Sequence, residues 1–191
     1  MTTVRADKRL QEIAEGIRNR RTVKLFLQRP VRRELVLEAI EVARWAPNHH
    51  VTEPWHFYVL GPESIREAVE LTRIVTTERK GEKMGEFKAA AAAERPGWLV
   101  VTCRVTDDEL RQREDYASCA CAIQNFMLYL SAAGVASKWS TGAITRDDRF
   151  LRLLGIDPAE EFVVGLIWYG YAKVTPGQRR KDVEEIVTER P

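Results

Sequence analysis

The sequence predicts an α+β fold, and three observations carry the prediction. Helix-rich segments surround three or four short β-rich runs, without the regular strand–helix–strand alternation of a doubly wound sheet. Two of those runs, "GWLVVTCRV" and "EFVVGLIWYGYA", are almost continuously apolar, as strands covered on both faces are. A third stretch, Tyr116 to Ser137, holds no formal charge. Gln124, Asn125, serines and many alanines make it too polar for lipid, so it predicts a helix buried in protein.

In chain order, residues 3–19 form a first helix with Leu10, Ile13, Ala14 and Ile17 at helical spacing. After Pro30, "RRELVLEAIEVARWA" starts a second, with Leu35, Ala39, Val42 and Ala46 along one stripe and Pro47 closing it. "WHFYVL" is the first core strand. Pro62 and Glu63 open a third helix carrying Ile65, Ala68, Val69 and Thr72. Residues 77–96 are charged, contain two glycines and have few large apolar groups, which predicts a segment helical in pieces that buries little and suits a mobile flap. The buried strand "GWLVVTCRV" and the uncharged helix ending at Gly134 follow. "SKWSTGA" is a strand or turn, "DDRFLRLLG" a short helix and "EFVVGLIWYGYA" the last buried strand. Residues 174–191 lack a core-sized apolar face and are expected to cross the surface.

The length, 191 residues, suits one domain spanning 1–191, and no repeat or linker divides it. With 45% apolar and 30% charged residues a core lies under a well-solvated surface, which excludes a disordered or collagen-like chain. Thirty Lys and Arg balance 28 Asp and Glu, so charge gives no reason to expect a nucleic-acid partner. Cys119 and Cys121, two apart in a helix, point to different faces and suit neither a disulfide nor a metal clip. With no charged-then-apolar leader, reduced thiols in a cytoplasm are expected, and no membrane span.

Four local patterns bear chemistry. In "RNRRTVKLF", Arg18, Arg20, Arg21 and Lys24 lie where a helix ends and an extended segment begins. They either cap the last carbonyls or form an anion site, with alternation placing Arg20, Thr22 and Lys24 on one side. "KWSTGA" sets Trp139 beside small hydroxyl residues and a glycine, so Trp139 is either core or the wall for a planar ligand. "GQRRKDV" adds Arg179, Arg180 and Lys181, by default a solvated tail. The three histidines, His49, His50 and His56, fall within eight positions. The adjacent pair should diverge, and no His-Glu-x-x-His spacing, nucleophile elbow or glycine-rich phosphate loop occurs. Any nucleotide-like ligand must therefore be held by side chains.

Taken in order, four elements resemble the nitroreductase family of FMN-dependent oxidoreductases over nearly the whole chain: "RRTVKLF" after the first helix, "APNHHVTEPWHF" after the second, a central apolar helix ending in Gly before "WSTG", and "VVGLIWYGY" before a basic tail. The resemblance implies a central, mainly antiparallel sheet between helices. It also implies a homodimer with FMN at the interface and a tail, 174–191, reaching over the partner. By position, Arg20, Arg21 and Thr22 match residues holding the flavin phosphate and ribityl chain. Lys24 matches a basic residue near the pyrimidine edge that tunes the flavin. Trp45 and His49 match positions reaching the partner's flavin. Trp139, Ser140 and Thr141 match a stretch lining the isoalloxazine ring, and Arg180 or Lys181 matches a basic residue at the phosphate. Glu53 departs from the glutamine common before Pro-Trp, and Thr22 from the commoner serine.

The implied activity is transfer of a hydride from NADH or NADPH to the flavin. From there electrons pass to a nitroaromatic, quinone or similar small-molecule acceptor by a ping-pong mechanism, with no protein nucleophile. Flavin breakdown, dehalogenation or flavin storage on the same fold is one alternative. A metal-dependent hydrolase using His49, His50 and His56 is the alternative from another class.

Overall fold

A computed structural model describes residues 2–190. Four strands, β1 (Trp55–Val59), β2 (Gly97–Arg104), β3 (Ala136–Ser140) and β4 (Glu161–Gly170), form one sheet in the order β1-β2-β4-β3. All three pairings are antiparallel. Alternation along β2 sends Leu99, Val101 and Cys103 to one face and Trp98 and Val100 to the other. Helices cover both faces, and that is why the strands read as unbroken apolar runs. On the first face lie α2 (Arg33–Ala43) and α5 (Glu109–Ala132). On the second lie α3 (Pro62–Lys80), α4 (Glu82–Ala93) and α6 (Asp148–Leu154), packed on Trp98, Val100, Leu166 and Trp168.

The helix ends follow local chemistry. Pro62 occupies the first turn of α3, where its missing N–H costs nothing, and Gly81 ends the helix at φ 84°. The Asp108 carboxylate accepts from the N–H groups of Leu110 and Arg111 at 2.9 and 3.1 Å and so caps α5. Those bonds hold Asp108 below the ordinary carboxylate pKa range. Asp147 caps α6 in the same way, and Gly155 closes it in the left-handed region. The uncharged stretch of α5 is the central core helix, burying Cys119, Ala122, Ile123, Phe126 and Leu130 while Cys121 faces out.

Two expectations change, both in α2. In α2 the buried residues are Val36, Ala39 and Ala43; of the expected stripe Ala39 and Ala46 are buried and Leu35 packs against the core, while Val42 is exposed. The helix also stops at Ala43, short of Pro47. Residues 77–96 are the end of α3 and all of α4, a helical hairpin turning at Gly81. It buries Ala92 against the second face, and Ala89 is buried as well. At Gly85 a Cβ would lie 2.8 Å from the Arg73 carbonyl oxygen, so the two backbones approach closely. Small residues make this packing, so the segment buries little, as its composition predicts.

Helix α1 (Thr2–Asn19) leaves its apolar stripe uncovered: Leu10, Ile13 and Ile17 are 66%, 60% and 53% exposed. Beyond Lys173 the tail is irregular apart from a single turn at Val183–Glu185, with Val183, Ile186 and Val187 exposed. Among the described residues no helix is long and apolar enough to cross a membrane.

Candidate functional site

The segment after α1 runs along the free edge of β3. Val23 and Phe26 are buried and pin it to the core. Thr22 bridges Ser137 in parallel, Val23 N–H donates to the Ser137 carbonyl at 3.1 Å, and Leu27 N–H donates to the Tyr171 carbonyl at 2.8 Å. With Val23 and Phe26 turned inward, Thr22 and Lys24 are left exposed beside the sheet edge.

The two arginines separate. Arg21 folds back so that its guanidinium donates to the carbonyls of Arg18 and Arg20, the capping role a basic residue has at a helix C-terminus. Arg20 is half-buried, and burial together with the nearby charges of Arg180 and Arg21 lowers its pKa. It lines a cavity of about 150 Å³ with Asn19, Ser131, Gly134 and Ser137. A neighbouring cavity of about 430 Å³ is lined by Arg21, Thr22 and Lys24 on one side and by Val174, Pro176 and Gln178 of the tail on the other. The structure therefore brings Arg20, Arg21, Thr22, Lys24 and Arg180 to one edge, with Arg20 in a compartment next to that of Thr22 and Lys24. Lys181 follows on the exposed tail.

On β3 the side chains alternate. Trp139 turns into the first-face core, its indole N–H donating to the Val164 carbonyl at 3.3 Å. It lies so close to β4 that a Cβ at Gly165 would sit 2.1 Å from Nε1. Lys138 and Ser140 point the other way, into a cavity of about 420 Å³ under the α3–α4 hairpin, and exposed Thr141 follows the strand. That cavity also holds Arg79, Lys88, Arg95, Arg146 and Trp168. The Arg95 guanidinium lies 3.7 Å and the Lys138 ammonium 4.8 Å from the Trp168 ring centroid. Burial pushes the Arg95 pKa down to about 10. Burial, and then the charges of Arg95, Lys24 and Lys88, lower that of Lys138. Arg95 Nε and Trp168 Nε1 are buried donors without partners.

Trp45 and His49 precede β1, at the sheet edge opposite β3. Trp45 is 74% exposed, its indole N–H donating to Glu41 at 3.3 Å. The loop beyond is held in the left-handed region at His50, Val51 and Glu53, with φ of 59°, 51° and 44°. Asn48 over-determines it: Oδ1 accepts from Glu53 N–H at 2.6 Å, and Nδ2 donates to Thr52 Oγ1 at 3.0 Å. Thr52 Oγ1 in turn donates to buried Asp115 at 2.5 Å. This backbone overturns the expectation that His49 and His50 diverge, because the positive φ folds their rings to a centroid separation of 3.9 Å. His56 lies instead on β1 beside Glu161, at 3.3 Å. Among the described residues no three His, Cys, Asp or Glu side chains converge on a metal position.

Sequence reasoning missed Arg79, Lys88, Arg95, Lys138 and Trp168. Four are cations that looked solvated or unremarkable, and Trp168 sat inside an apolar run. Only Arg95 carried a local signal, immediately before the Pro-Gly that opens β2.

An antiparallel sheet covered on both faces by helices, with basic side chains gathered along its β3 edge, defines the class as an α+β domain. The nitroreductase-family model matches residues 17–171, and the chain belongs to the nitroreductase family. YfhC of Bacillus subtilis (strain 168), a relative named after NAD(P)H nitroreductases, is 30% identical over 170 residues, covering 86% of this chain and 87% of its own. A nitroreductase-like family protein from Bacillus cereus superposes with a TM-score of 0.83 at 27% identity, over 93% of this chain and 95% of the other. A Bacteroides fragilis nitroreductase with bound FMN shares the fold at a TM-score of 0.76 and 21% identity, over 94% and 99% of the two chains.

Proposed function

We propose that the protein is an FMN-dependent oxidoreductase that passes two electrons from NADH or NADPH to a nitroaromatic, quinone or similar acceptor by a ping-pong mechanism. The observation that carries this reading is the β3 edge. Half-buried Arg20, beside Arg180 and without an acidic partner among the described residues, stands at one end of it. Lys24, Lys138 and Ser140 stand at the other. Such a cleft suits a long ligand with a dianionic tail and a planar head rich in acceptor atoms, and FMN has that form. Arg20 and Arg180 would hold its phosphate with Thr22 as hydroxyl donor. Lys24 would stand at its pyrimidine edge, where a fixed cation stabilises negative charge as it develops. Bound there, FMN supplies two-electron redox chemistry, and the protein supplies binding, orientation and electrostatics. The overall change consumes one NAD(P)H and one proton as the acceptor gains two electrons and two protons.

The uncovered α1 stripe and the coreless tail support a homodimer, with Trp45 and His49 of each protomer offered to the other's site. The free thiols of Cys103, Cys119 and Cys121 support the cytoplasm as its compartment.

The test is spectroscopic. Protein loaded with FMN should show flavin absorbance that NADH or NADPH bleaches without air and that a quinone restores. Initial-rate plots at several acceptor concentrations should be parallel. Intersecting lines would remove the ping-pong mechanism, and a flavin-free protein needing a divalent metal for turnover would replace the reading altogether.

A further inference from the structure

We propose that buried Asp115 is a positioning residue: through Thr52 and Asn48 it holds the loop of residues 49–53 in the shape that closes the flavin site of a second copy of the chain. The inference rests on the oxidoreductase and homodimer reading above and adds the residues that set the shared wall.

Backbone strain makes the first argument. His50, Val51 and Glu53 all lie in the left-handed region, at φ 59°, 51° and 44°, and none is a glycine. Val51 is the least suited to it, because a β-branched side chain crowds its own backbone there. Burial does not offset that strain, since Val51 is 78% exposed and His49, His50 and Glu53 face solvent as well. A connection from α2 to β1 needs no such conformation, because ordinary turn residues would make it. Strain of this kind persists only where the surroundings over-determine it, and it gathers at functional sites.

The bonds that over-determine it make the second argument. Glu53 N–H donates to Asn48 Oδ1 at 2.6 Å, and Asn48 Nδ2 donates to Thr52 Oγ1 at 3.0 Å and to Ser118 Oγ at 3.3 Å. Thr52 Oγ1 donates to Asp115 Oδ1 at 2.5 Å. Asp115 and Ser118 are 4% and 5% exposed on the core helix α5, so the loop is fastened to the core. Asp115 makes no ion pair among the described residues. A buried carboxylate without a counter-charge is a poor packing element, and the hydroxyl that this one grips belongs to the loop.

Place makes the third. The loop leads into β1, and the proposed flavin cleft lies along β3, with β2 and β4 between them. Three strand spacings make about 14 Å, which sets the loop apart from the cleft of its own protomer. The surface it presents is apolar with polar edges: Trp45 and Val51, 74% and 78% exposed, beside the paired imidazoles of His49 and His50. Such a surface suits a planar heteroaromatic ring carried by another copy.

Thr52→Val removes the hydroxyl and keeps the shape, whereas Thr52→Ser keeps the hydroxyl. Thr52→Val is expected to weaken FMN binding about fivefold or more, the size of one hydrogen bond, while sedimentation still shows a dimer. Thr52→Ser should bind FMN as the wild type does. Asp115→Asn gives the same reading if Thr52→Val does not fold. Mixed dimers then separate positioning across the interface from a loosened protomer. Where a Thr52→Val chain pairs with an Arg20→Ala chain, one site receives both defects and the other neither. One of the two sites should therefore bind FMN with wild-type affinity. Mixed dimers in which neither site does so would mean that the loop acts on its own protomer, and that overturns the proposal. An unchanged dissociation constant for Thr52→Val overturns it too, as does a wild-type protein that holds its flavin as a monomer. A wild-type protein that takes up no FMN fails the oxidoreductase reading itself, and the inference falls with it.

Discussion

Arg20 and Arg21 are neighbours in sequence, and the structure gives them opposite duties. Arg21 turns its guanidinium onto the carbonyls of Arg18 and Arg20, whereas Arg20 stays half-buried beside the charge of Arg180. Arg20→Ala is therefore expected to weaken FMN binding by about 1.5–3 kcal/mol, the range for one charged hydrogen bond. Arg21→Ala should act more on the end of α1. Flavin fluorescence quenching at fixed salt measures the first effect, and an unchanged dissociation constant for Arg20→Ala would return that residue to a helix cap. Gly165 offers a second test at this scale. A methyl group there would meet the Trp139 indole at 2.1 Å, and that indole is already bonded to the Val164 carbonyl. Gly165→Ala should cost about 1–3 kcal/mol as overpacking, read from the urea midpoint. A midpoint at the wild-type value would mean that Trp139 yields freely and is not the fixed core residue described here.

Among the elements, the α3–α4 hairpin depends most on a single small residue. A Cβ at Gly85 would lie 2.0 Å from Thr77 Oγ1 and 2.8 Å from the Arg73 carbonyl oxygen. Gly85→Ala should push the two helices apart and speed amide exchange through residues 62–93, leaving β2 and β4 protected. Acceleration spread evenly over the chain would mean that the hairpin does not open as a unit. The same hairpin marks where the sequence stopped being informative. β2 and β4 could be located because both their faces are covered, which leaves an unbroken apolar run that little else produces. At α2 the expected stripe holds at Ala39 and Ala46 but takes exposed Val42 for its buried neighbour Ala43 and misses Val36, because apolar residues stand side by side at 35–36 and 42–43. How the hairpin packs was not legible, because Gly85, Ala89 and Ala92 pack by closeness rather than bulk. The site divides in the same way. Its Arg20–Lys24 half is contiguous and visible, whereas the Arg95–Trp168–Lys138 half is assembled from the β2 approach, β4 and β3 and has no linear pattern.

At the scale of the molecule, two surfaces lack a cover among the described residues: the Leu10–Ile13–Ile17 stripe of α1, and the tail with Val183, Ile186 and Val187. Exposed apolar strips of this kind mark interaction surfaces, and a second copy of the chain would cover both in one step if the association is two-fold symmetric. Because α1 leads directly into Arg20 and the tail leads from the Lys24 cavity through Arg180, the two strips flank the proposed flavin cleft. Assembly and cofactor binding should therefore fail together. Removing residues 178–191 takes away Arg180 and the exposed apolar groups of the tail at once, and is expected to lower flavin content and shift sedimentation toward monomer. Replacing Ile13 by Glu leaves every flavin-contacting candidate in place and disturbs only the α1 stripe. In that variant flavin should be lost in proportion to the dimer lost, and high protein concentration should restore both. Flavin content that stayed full in an Ile13→Glu monomer would show that one protomer holds its cofactor unaided, and the shared-site reading of Trp45 and His49 would have to be given up.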